Sequence, residues 1–400
     1  MDEIARRYLL LGLRLGRVLP EFVDSYVGPA ELRAEADEGA TPDPMALADE
    51  AQELAVLVAS TLREGDPVTV RRRRWFEGQL RSMAVQARAA GGEEPPFVDL
   101  VEELLDIEVV EHEEDELLAF RGRIDDALPG AGTLEERLAR FRETLNVPGE
   151  RVIDALRRSA DRFRDRTRRD FEIPDEEGID WEEAHDQPWG AYAEFLGQGR
   201  TAIRVNVDLP REVTFIPFLA AHEAYPGHHA EHITKERTLI EAGFGEALLR
   251  TMSTPECVLS EGQADVAREV VMGNWELEEE LRRVGRDVGV EGDWAAALQI
   301  AVASLDLEAA FCAASLMAHR DGRSNDEIRD FLMELMPQPQ ARIDHFLRIV
   351  RDPANKTYEF TYVEGARLIR PWLELQGQTA GFARLLSEQL SPSQLRAELA

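Results

Sequence analysis

The 400-residue chain is poor in lysine and cysteine, with two residues of each. Two cysteines are too few for a disulfide framework, so Cys257 and Cys312 are expected to be buried thiols. Bases are also scarce relative to acids: 46 lysines and arginines against 78 aspartates and glutamates give a formal charge of −32. A surface this negative repels phosphates and anionic lipids, so we expect neither nucleic acid nor a membrane as a partner.

Two explanations of the charge balance stay open. Dense carboxylates keep a protein hydrated in a high-salt cytoplasm, which would account for the acid excess. A GC-rich genome favours arginine codons over lysine codons, which would account for the scarcity of lysine alone.

Neither a signal peptide nor an uninterrupted apolar run is evident. The first residues include Asp2 and Glu3 and lack an apolar core followed by a small-residue cleavage site. The most apolar stretch, residues 295–318, is interrupted by Asp306 and Glu308, and we predict a buried helix there. The expected location is therefore the cytoplasm.

Most of the chain has the pattern of amphipathic helices, and pairs such as Asp66-Pro67 and Ser391-Pro392 are typical of helix starts. No internal repeat or low-complexity linker divides the chain. We predict a mainly α fold, with a helical N-terminal region over residues 1–180 and a second region over residues 181–400 that carries the motifs described below, or one continuous helical domain. Apolar residues recur at helical spacing in five long stretches, at about residues 44–62, 68–89, 151–171, 255–288 and 354–375.

One segment departs from the helical pattern. Residues 201–208 alternate Ile203, Val205 and Val207 with polar side chains, which is the period of a half-buried strand. Because a lone strand needs a partner, we expect a small β-sheet beside the helices.

Four of the eight histidines lie within eleven residues, from His222 to His232. Imidazole is a common zinc ligand, and the carboxylate of Glu223 is suited to take a proton from a metal-activated water. The usual zincin spacing places two histidines at positions i and i+4 of one helix, but here Pro226 occupies i+4. The alternative is a histidine-rich surface loop between two helices.

The Pro226-Gly227 pair offers a way to bring two histidines together. In a straight helix His222 and His228 would lie about 9 Å apart along the axis and on different faces. Pro226 removes the amide that would bond to the carbonyl of His222, and Gly227 permits backbone angles that other residues avoid. We therefore predict a bulge or break that returns His228 to His222, with His229 directed outward or supporting a ligand from behind.

A downstream acidic pair completes the predicted site. Glu261 and Asp265 are four residues apart and share one face of a helix. Their spacing matches the Glu-x-x-x-Asp element of gluzincin metallopeptidases, in which the glutamate is the third metal ligand and the aspartate orients a ligand histidine. Two histidines and one glutamate leave an open coordination position, which is typical of a catalytic zinc.

A rival pairing stays open. His228 and His232 are also four residues apart and could chelate one ion from a helix that does not bend. His229 is a further candidate for the second ligand. We favour the pairing of His222 with His228 because it places Glu223 beside the metal-activated water.

The string His-Glu-Ala-Tyr-Pro-Gly-His-His that begins at His222, with the later Ser-Glu-Gly around Glu261, resembles domain-of-unknown-function family 885. These uncharacterised bacterial and archaeal proteins are placed among the zincin-like peptidases. The resemblance extends over about residues 189–370 and includes a late Tyr-x-x-Gly that begins at Tyr362. The first 180 residues match only loosely, and Gln263 stands where the family usually has an aromatic residue.

The resemblance implies hydrolysis of a peptide or small amide, with one zinc per chain held by the two histidines and the glutamate. Glu223 would act as general base, and Tyr362 would donate to the oxyanion or would simply pack in a C-terminal helix. The strand over residues 202–207 would pair with an extended substrate along the cleft. Arg367 and Arg370 are candidates for binding a substrate carboxylate.

Two other functions stay open on the same residues. One is a metal-dependent hydrolase of a non-peptide amide or ester, and the other is a helical protein that binds metal without catalysis. A fourth protein ligand such as His229 would indicate the non-catalytic role, whereas an open coordination position favours an enzyme.

Overall fold

Helices dominate the structure and the sheets are small, as the sequence predicts. The computed structural model describes residues 1–63, 65–187, 189–208, 210–338, 340–352 and 355–400. The α-helices are α1 (Glu3–Val18), α2 (Ala30–Asp37), α3 (Pro44–Thr61), α4 (Pro67–Ala90), α5 (Phe97–Leu105), α6 (Glu114–Ala127), α7 (Leu134–Thr144), α8 (Gly149–Asp170), α9 (Phe215–Leu219), α10 (His228–Lys235), α11 (Pro255–Val271), α12 (Asn274–Val288), α13 (Trp294–Asp306), α14 (Ala309–His319), α15 (Asn325–Leu335), α16 (Gln340–Val350), α17 (Glu359–Gln376), α18 (Gln378–Ser387) and α19 (Pro392–Leu399). The strands are β1 (Val23–Tyr26), β2 (Asn146–Val147), β3 (Gly178–Ala184), β4 (Ala191–Gly197), β5 (Arg200–Asn206), β6 (Arg211–Glu212) and β7 (Leu249–Thr251).

Helix boundaries follow the predicted stretches where local signals are strong. Helices α3, α4 and α8 begin and end within two residues of the prediction. Before α4 the side chain of Asp66 accepts hydrogen bonds from the first free amides, as expected of a cap. The stretch 255–288 is two helices, because the chain is extended at Met272 and Gly273 is a poor helix former. The predicted start at residue 354 lies outside the described residues, and α17 begins at Glu359.

The most apolar stretch forms two helices, α13 and α14, separated at Leu307 and Glu308, where we predicted one. Among the described residues, this segment alone is long and apolar enough to cross a membrane by length and composition, with a mean hydropathy of 1.6. Its most apolar window is 56% buried inside the protein. A core helix meets the same criterion, so the segment by itself does not indicate a membrane protein.

The predicted strand is the centre of a three-stranded sheet ordered β3-β5-β4. Strand β5 pairs in parallel with β3 and antiparallel with β4, and its residues Ile203 and Val205 are buried. Both hydrogen-bonding edges of β5 are therefore occupied, so the prediction that this strand pairs with a substrate is wrong. The outer edge of the sheet on that side belongs to β4.

Elements from both halves of the chain pack together around the sheet. Strand β1, near the N-terminus, pairs with β7, and the core that contains β5, α10 and α11 also contains Leu156 and Phe163 of α8. Buried residues of α6 and α7 share another apolar cluster with α13 to α16. The division at residue 180 stays a prediction, and these shared cores are what one continuous domain would have.

Candidate metal centre

The helix that carries His222 does not continue into α10. After α9 the chain widens into a π-helical turn over Ala220–Ala224, in which the Tyr225 amide donates to the Ala220 carbonyl at 3.2 Å. The Gly227 amide then donates to the Ala221 carbonyl at 2.9 Å, and α10 begins at His228. The chain therefore folds back over one turn, and His228 returns to the side of His222.

Gly227 lies where no side chain fits. A Cβ atom on this residue would be 1.9 Å from the carbonyl oxygen of His222 and 2.4 Å from that of Ala221. Its φ angle is −73°, which other residues adopt readily. The need for glycine therefore comes from the close approach of the backbone, and not from the φ angle.

His222, His228 and Glu261, which we call the ligand cluster, meet at one point. The two imidazole rings are 4.7 Å apart between centroids, and Glu261 Oε2 lies 3.4 Å from Nε2 of His222 and 3.5 Å from Nε2 of His228. One ligand atom from each residue lies within 4.8 Å of the others. Ligand atoms about 2.1 Å from a tetrahedral ion are about 3.4 Å from one another, so this spacing fits one zinc.

The oxygen at the centre of the cluster supports the same assignment. Glu261 Oε2 is buried and has no hydrogen-bond partner among the described residues. A buried carboxylate oxygen without a partner costs free energy, which a bound cation would remove. The donor set and its geometry therefore fit a metal ion.

Each histidine of the ligand cluster is held through its other ring nitrogen. Nδ1 of His222 lies 3.0 Å from Oδ1 of Asp265, the residue predicted to orient it. Nδ1 of His228 lies 3.3 Å from the Ser260 hydroxyl, which donates to the buried Glu231 carboxylate at 2.6 Å. Such contacts select the tautomer that presents Nε2 to a metal. The sequence reasoning missed Ser260 and Glu231 in this role.

Helix α17 brings two tyrosines to the cluster. The Tyr358 hydroxyl donates to Glu261 Oε1 at 2.8 Å, which leaves Oε2 as the free oxygen. The Tyr362 ring lies 6.2 Å from the His222 ring, and burial together with the charge of Glu261 raises the pKa of Tyr362 well above its ordinary value. Tyr358 escaped the sequence reasoning, although it lies one helical turn from the predicted Tyr362.

Two glycines explain why α17 lies so close to α11. A Cβ atom on Gly262 would lie 2.4 Å from the carbonyl carbon of Gly365, and one on Gly365 would lie 2.4 Å from the Val258 carbonyl oxygen. The backbones touch at this crossing, which sets Glu261 beside the tyrosines. The Glu-Gly and Tyr-x-x-Gly motifs are thus two halves of one contact.

The rival grouping of His228, Glu231 and His232 also has ligand atoms within 4.8 Å of one another. Its carboxylate is already neutralised, because Lys235 Nζ lies 2.6 Å and Arg250 Nη1 3.6 Å from Glu231 Oε1. Burial and the charge of Arg250 lower the pKa of His232 well below its ordinary value. A cation at this grouping would face two fixed positive charges, so the electrostatics favour the ligand cluster.

His229 points away from the ligand cluster toward the sheet. It is fully buried, with Nδ1 2.8 Å from the Thr201 hydroxyl and Nε2 3.1 Å from Glu177 Oε2. We call His229, Thr201, Glu177 and Tyr225, whose hydroxyl also donates to Glu177, the support cluster. It fixes the start of α10, but the ring nitrogens of His229 contact Thr201 and Glu177 and no residue of the ligand cluster, so His229 is neither directed outward nor in contact with a proposed ligand.

Glu223 is buried next to the ligand cluster. Burial raises its pKa, and the charges of Glu261 and Asp24 raise it further, while the two ligand histidines lower it. Asp24, from β1, was not singled out in the sequence. Almost 200 residues separate Asp24 from Glu223 along the chain, so no local pattern in the sequence indicates that its charge acts on Glu223.

The two arginines predicted to bind a substrate carboxylate are engaged by carboxylates of the chain itself. Arg367 donates to Glu364 at 2.5 Å, and Arg370 donates to Glu269 at 3.1 Å. Both arginine side chains are more than 40% exposed. Their role in substrate binding stays a prediction.

No model of a known protein family and no curated protein matches the chain. Solved structures share its fold. A candidate lipoprotein from Colwellia psychrerythraea superposes with a TM-score of 0.54 and 13% identity, over 89% of this chain and 69% of that one. A candidate lipoprotein of unknown function from Shewanella oneidensis gives a TM-score of 0.53 and 12% identity, over 92% of this chain and 75% of that one. Identities this low show the fold alone, and the resemblance to domain-of-unknown-function family 885 stays a prediction.

Proposed function

We propose that the protein is a zinc-dependent hydrolase of peptide or amide bonds, with one zinc held by His222, His228 and Glu261. The observation that carries this proposal is that ligand atoms of His222, His228 and Glu261 lie within 4.8 Å of one another, and that the buried Glu261 oxygen among them has no hydrogen-bond partner among the described residues. Two histidines and one glutamate leave a coordination position open for water or substrate.

The side chains around the cluster have the properties that hydrolysis requires. A zinc ion bound there supplies Lewis acidity and lowers the pKa of a coordinated water. Glu223 accepts the proton of the attacking water and returns it to the leaving amine. Tyr362 keeps its proton, because its pKa is raised, and donates a hydrogen bond to the oxyanion. Asp265 and Ser260 hold the two imidazoles in place.

Metal analysis combined with one conservative substitution tests this function. The purified protein should contain about one zinc per chain and should hydrolyse peptide substrates, and chelation should abolish the activity. Glu223→Gln should keep the zinc and lose activity roughly 100- to 10,000-fold, the range for a general base. A protein that carries no zinc, or a Glu223→Gln variant that retains full turnover, would refute the proposal.

A further inference from the structure

A cavity of about 710 Å³ lies between β1 and the outer part of the sheet. Its walls include residues 23–28 on the β1 side and residues 194–198 at the end of β4. The cavity lining is mainly polar, so it suits a polar ligand better than an apolar one.

Residues of two strands line this cavity, from β1 and from β4. Among the described residues, β4 pairs only with β5, and β1 pairs only with β7. No backbone hydrogen bond joins β1 to β4 in the described parts of the chain. An edge strand carries outward amide and carbonyl groups that can pair with an extended peptide.

Asp24 stands out among the acidic side chains of the lining. Glu194 is paired with Arg204 at 2.6 Å, and Glu236 accepts the backbone amides of residues 198 and 199 at 2.7 Å. Asp24 Oδ1 accepts a hydrogen bond from the Tyr192 hydroxyl at 2.9 Å, and no cationic side chain of the described chain lies within 4 Å of this carboxylate. Arg250 acts on Asp24 through its charge from beyond ion-pair distance, and Arg17 and Arg33 also line the cavity. A partly buried carboxylate that makes no direct ion pair can still accept a cationic group.

The cavity lies against residues that pack behind the proposed metal centre. Phe195, in the cavity wall, has its ring 5.3 Å from that of His232, and the His232 ring is 6.0 Å from that of His228. Burial raises the pKa of Asp24, whereas the hydrogen bond from Tyr192 and the charge of Arg250 lower it.

We propose that this cavity binds the free amino terminus of an extended peptide, with Asp24 receiving the ammonium group and the edge of β4 pairing with the peptide backbone. The inference rests on the proposed function and narrows it to exopeptidase action from the amino end. A peptide whose amino terminus is acetylated would offer Asp24 no ammonium group with which to form an ion pair.

Binding to an inactive variant tests this inference separately from catalysis. In Glu223→Gln protein, calorimetry would compare trialanine, N-acetyl-trialanine and N-acetyl-Lys-Ala-Ala. Trialanine should bind roughly 10- to 100-fold more tightly than its acetylated form, the range for a charge-assisted hydrogen bond. Adding Asp24→Asn should remove most of that preference, whereas Asp37→Asn, at the exposed rim of the same cavity, should keep it. Zinc content and unchanged binding of N-acetyl-trialanine would show that the Asp24→Asn protein is folded.

Three results would overturn the assignment: equal binding of the free and acetylated peptides, a preference that survives Asp24→Asn, or no binding of any probe. Tighter binding of N-acetyl-Lys-Ala-Ala than of trialanine would also overturn it, because the ammonium would then belong to a side chain. Preferential binding of trialanine without zinc-dependent cleavage by the parent protein would refute the proposed function and leave the ammonium site standing.

Discussion

The ligand cluster and the support cluster flank the start of α10 and are built from the same residue types. In the ligand cluster, Glu261 receives a hydrogen bond on Oε1 from Tyr358, and its Oε2 has no partner among the described residues. In the support cluster, Glu177 accepts hydrogen bonds from four side chains: Arg164, Arg168, Tyr225 and His229. A buried histidine beside a carboxylate therefore does not define a metal site. What distinguishes the two clusters is whether the carboxylate is already satisfied by protein donors.

The largest expected difference between the clusters is in zinc binding. His222→Ala, His228→Ala and Glu261→Ala should each abolish stoichiometric zinc binding, because only two of the three protein ligands would remain. His229→Ala should keep the metal and should lower the free energy of unfolding by about 2 to 3 kcal/mol, because it opens a cavity and removes a partner of Glu177. Elemental analysis and denaturant unfolding measure the two effects. Loss of zinc from His232→Ala with retention in His222→Ala would instead support the rival grouping.

A smaller effect is expected from the contact that orients His222. Asp265→Asn should weaken zinc binding about 10- to 100-fold, the range for partners of metal-bound histidines. Glu269→Gln, one turn further along α11, is the matched control, since its carboxylate binds Arg370. Competition with a chromophoric chelator measures both affinities. Equal affinities in the two variants would show that Asp265 does not position the ligand.

The backbone bend can be tested at Gly227. Gly227→Ala should weaken zinc binding about tenfold or more, because the added methyl group meets the His222 carbonyl at 1.9 Å and must push His228 away. Gly122→Ala, in α6 with nothing within 4 Å of the added carbon, should leave zinc binding unchanged. An unaltered affinity in Gly227→Ala would mean that the bend is not needed for the ligand cluster.

The two clusters should also respond differently to pH. Without metal, burial alone would lower the pKa of His228, but the charge of Glu261, 3.5 Å away, and the nearby carboxylate of Glu231, 3.9 Å away, raise it to about 9. Protonated His228 therefore stabilises the metal-free fold. This contribution is fully present below about pH 6.5 and is lost as pH rises through 9. Burial lowers the pKa of His229. The stability that neutral His229 contributes to the fold is therefore lost as pH falls.

Zinc must displace the protons of the ligand cluster, so its affinity should keep rising from pH 6.5 to about 9. The expected slope is up to about tenfold per pH unit for each protonated histidine. Calorimetry in buffers of different ionisation enthalpy would measure the protons released. A zinc affinity that levels off near pH 6.5 would contradict the raised pKa of His228.

Much of the secondary structure near the site could be predicted because its signals are local. Alternating apolar residues around Ile203 indicated β5, and Pro226 with Gly227 indicated the bend. The four-residue spacing of Glu261 and Asp265 placed both carboxylates on one helical face. The break between α11 and α12 was not predicted, because the helical spacing of apolar residues continues on both sides of Gly273. That spacing indicates which face of a helix is buried, and not the direction in which the chain runs.

The sequence by itself determined which residues are able to bind a metal and where the helix around His222 must break, because residue chemistry and backbone sterics are properties of short segments. Only the tertiary structure decided which histidines lie beside Glu261 and which is tied to Glu177. The same holds for the edge of β4 and for Asp24 and Tyr358, which reach the site from distant parts of the chain. Their positions depend on how β1, β4 and α17 pack, and packing between distant elements leaves no periodic signal in one sequence.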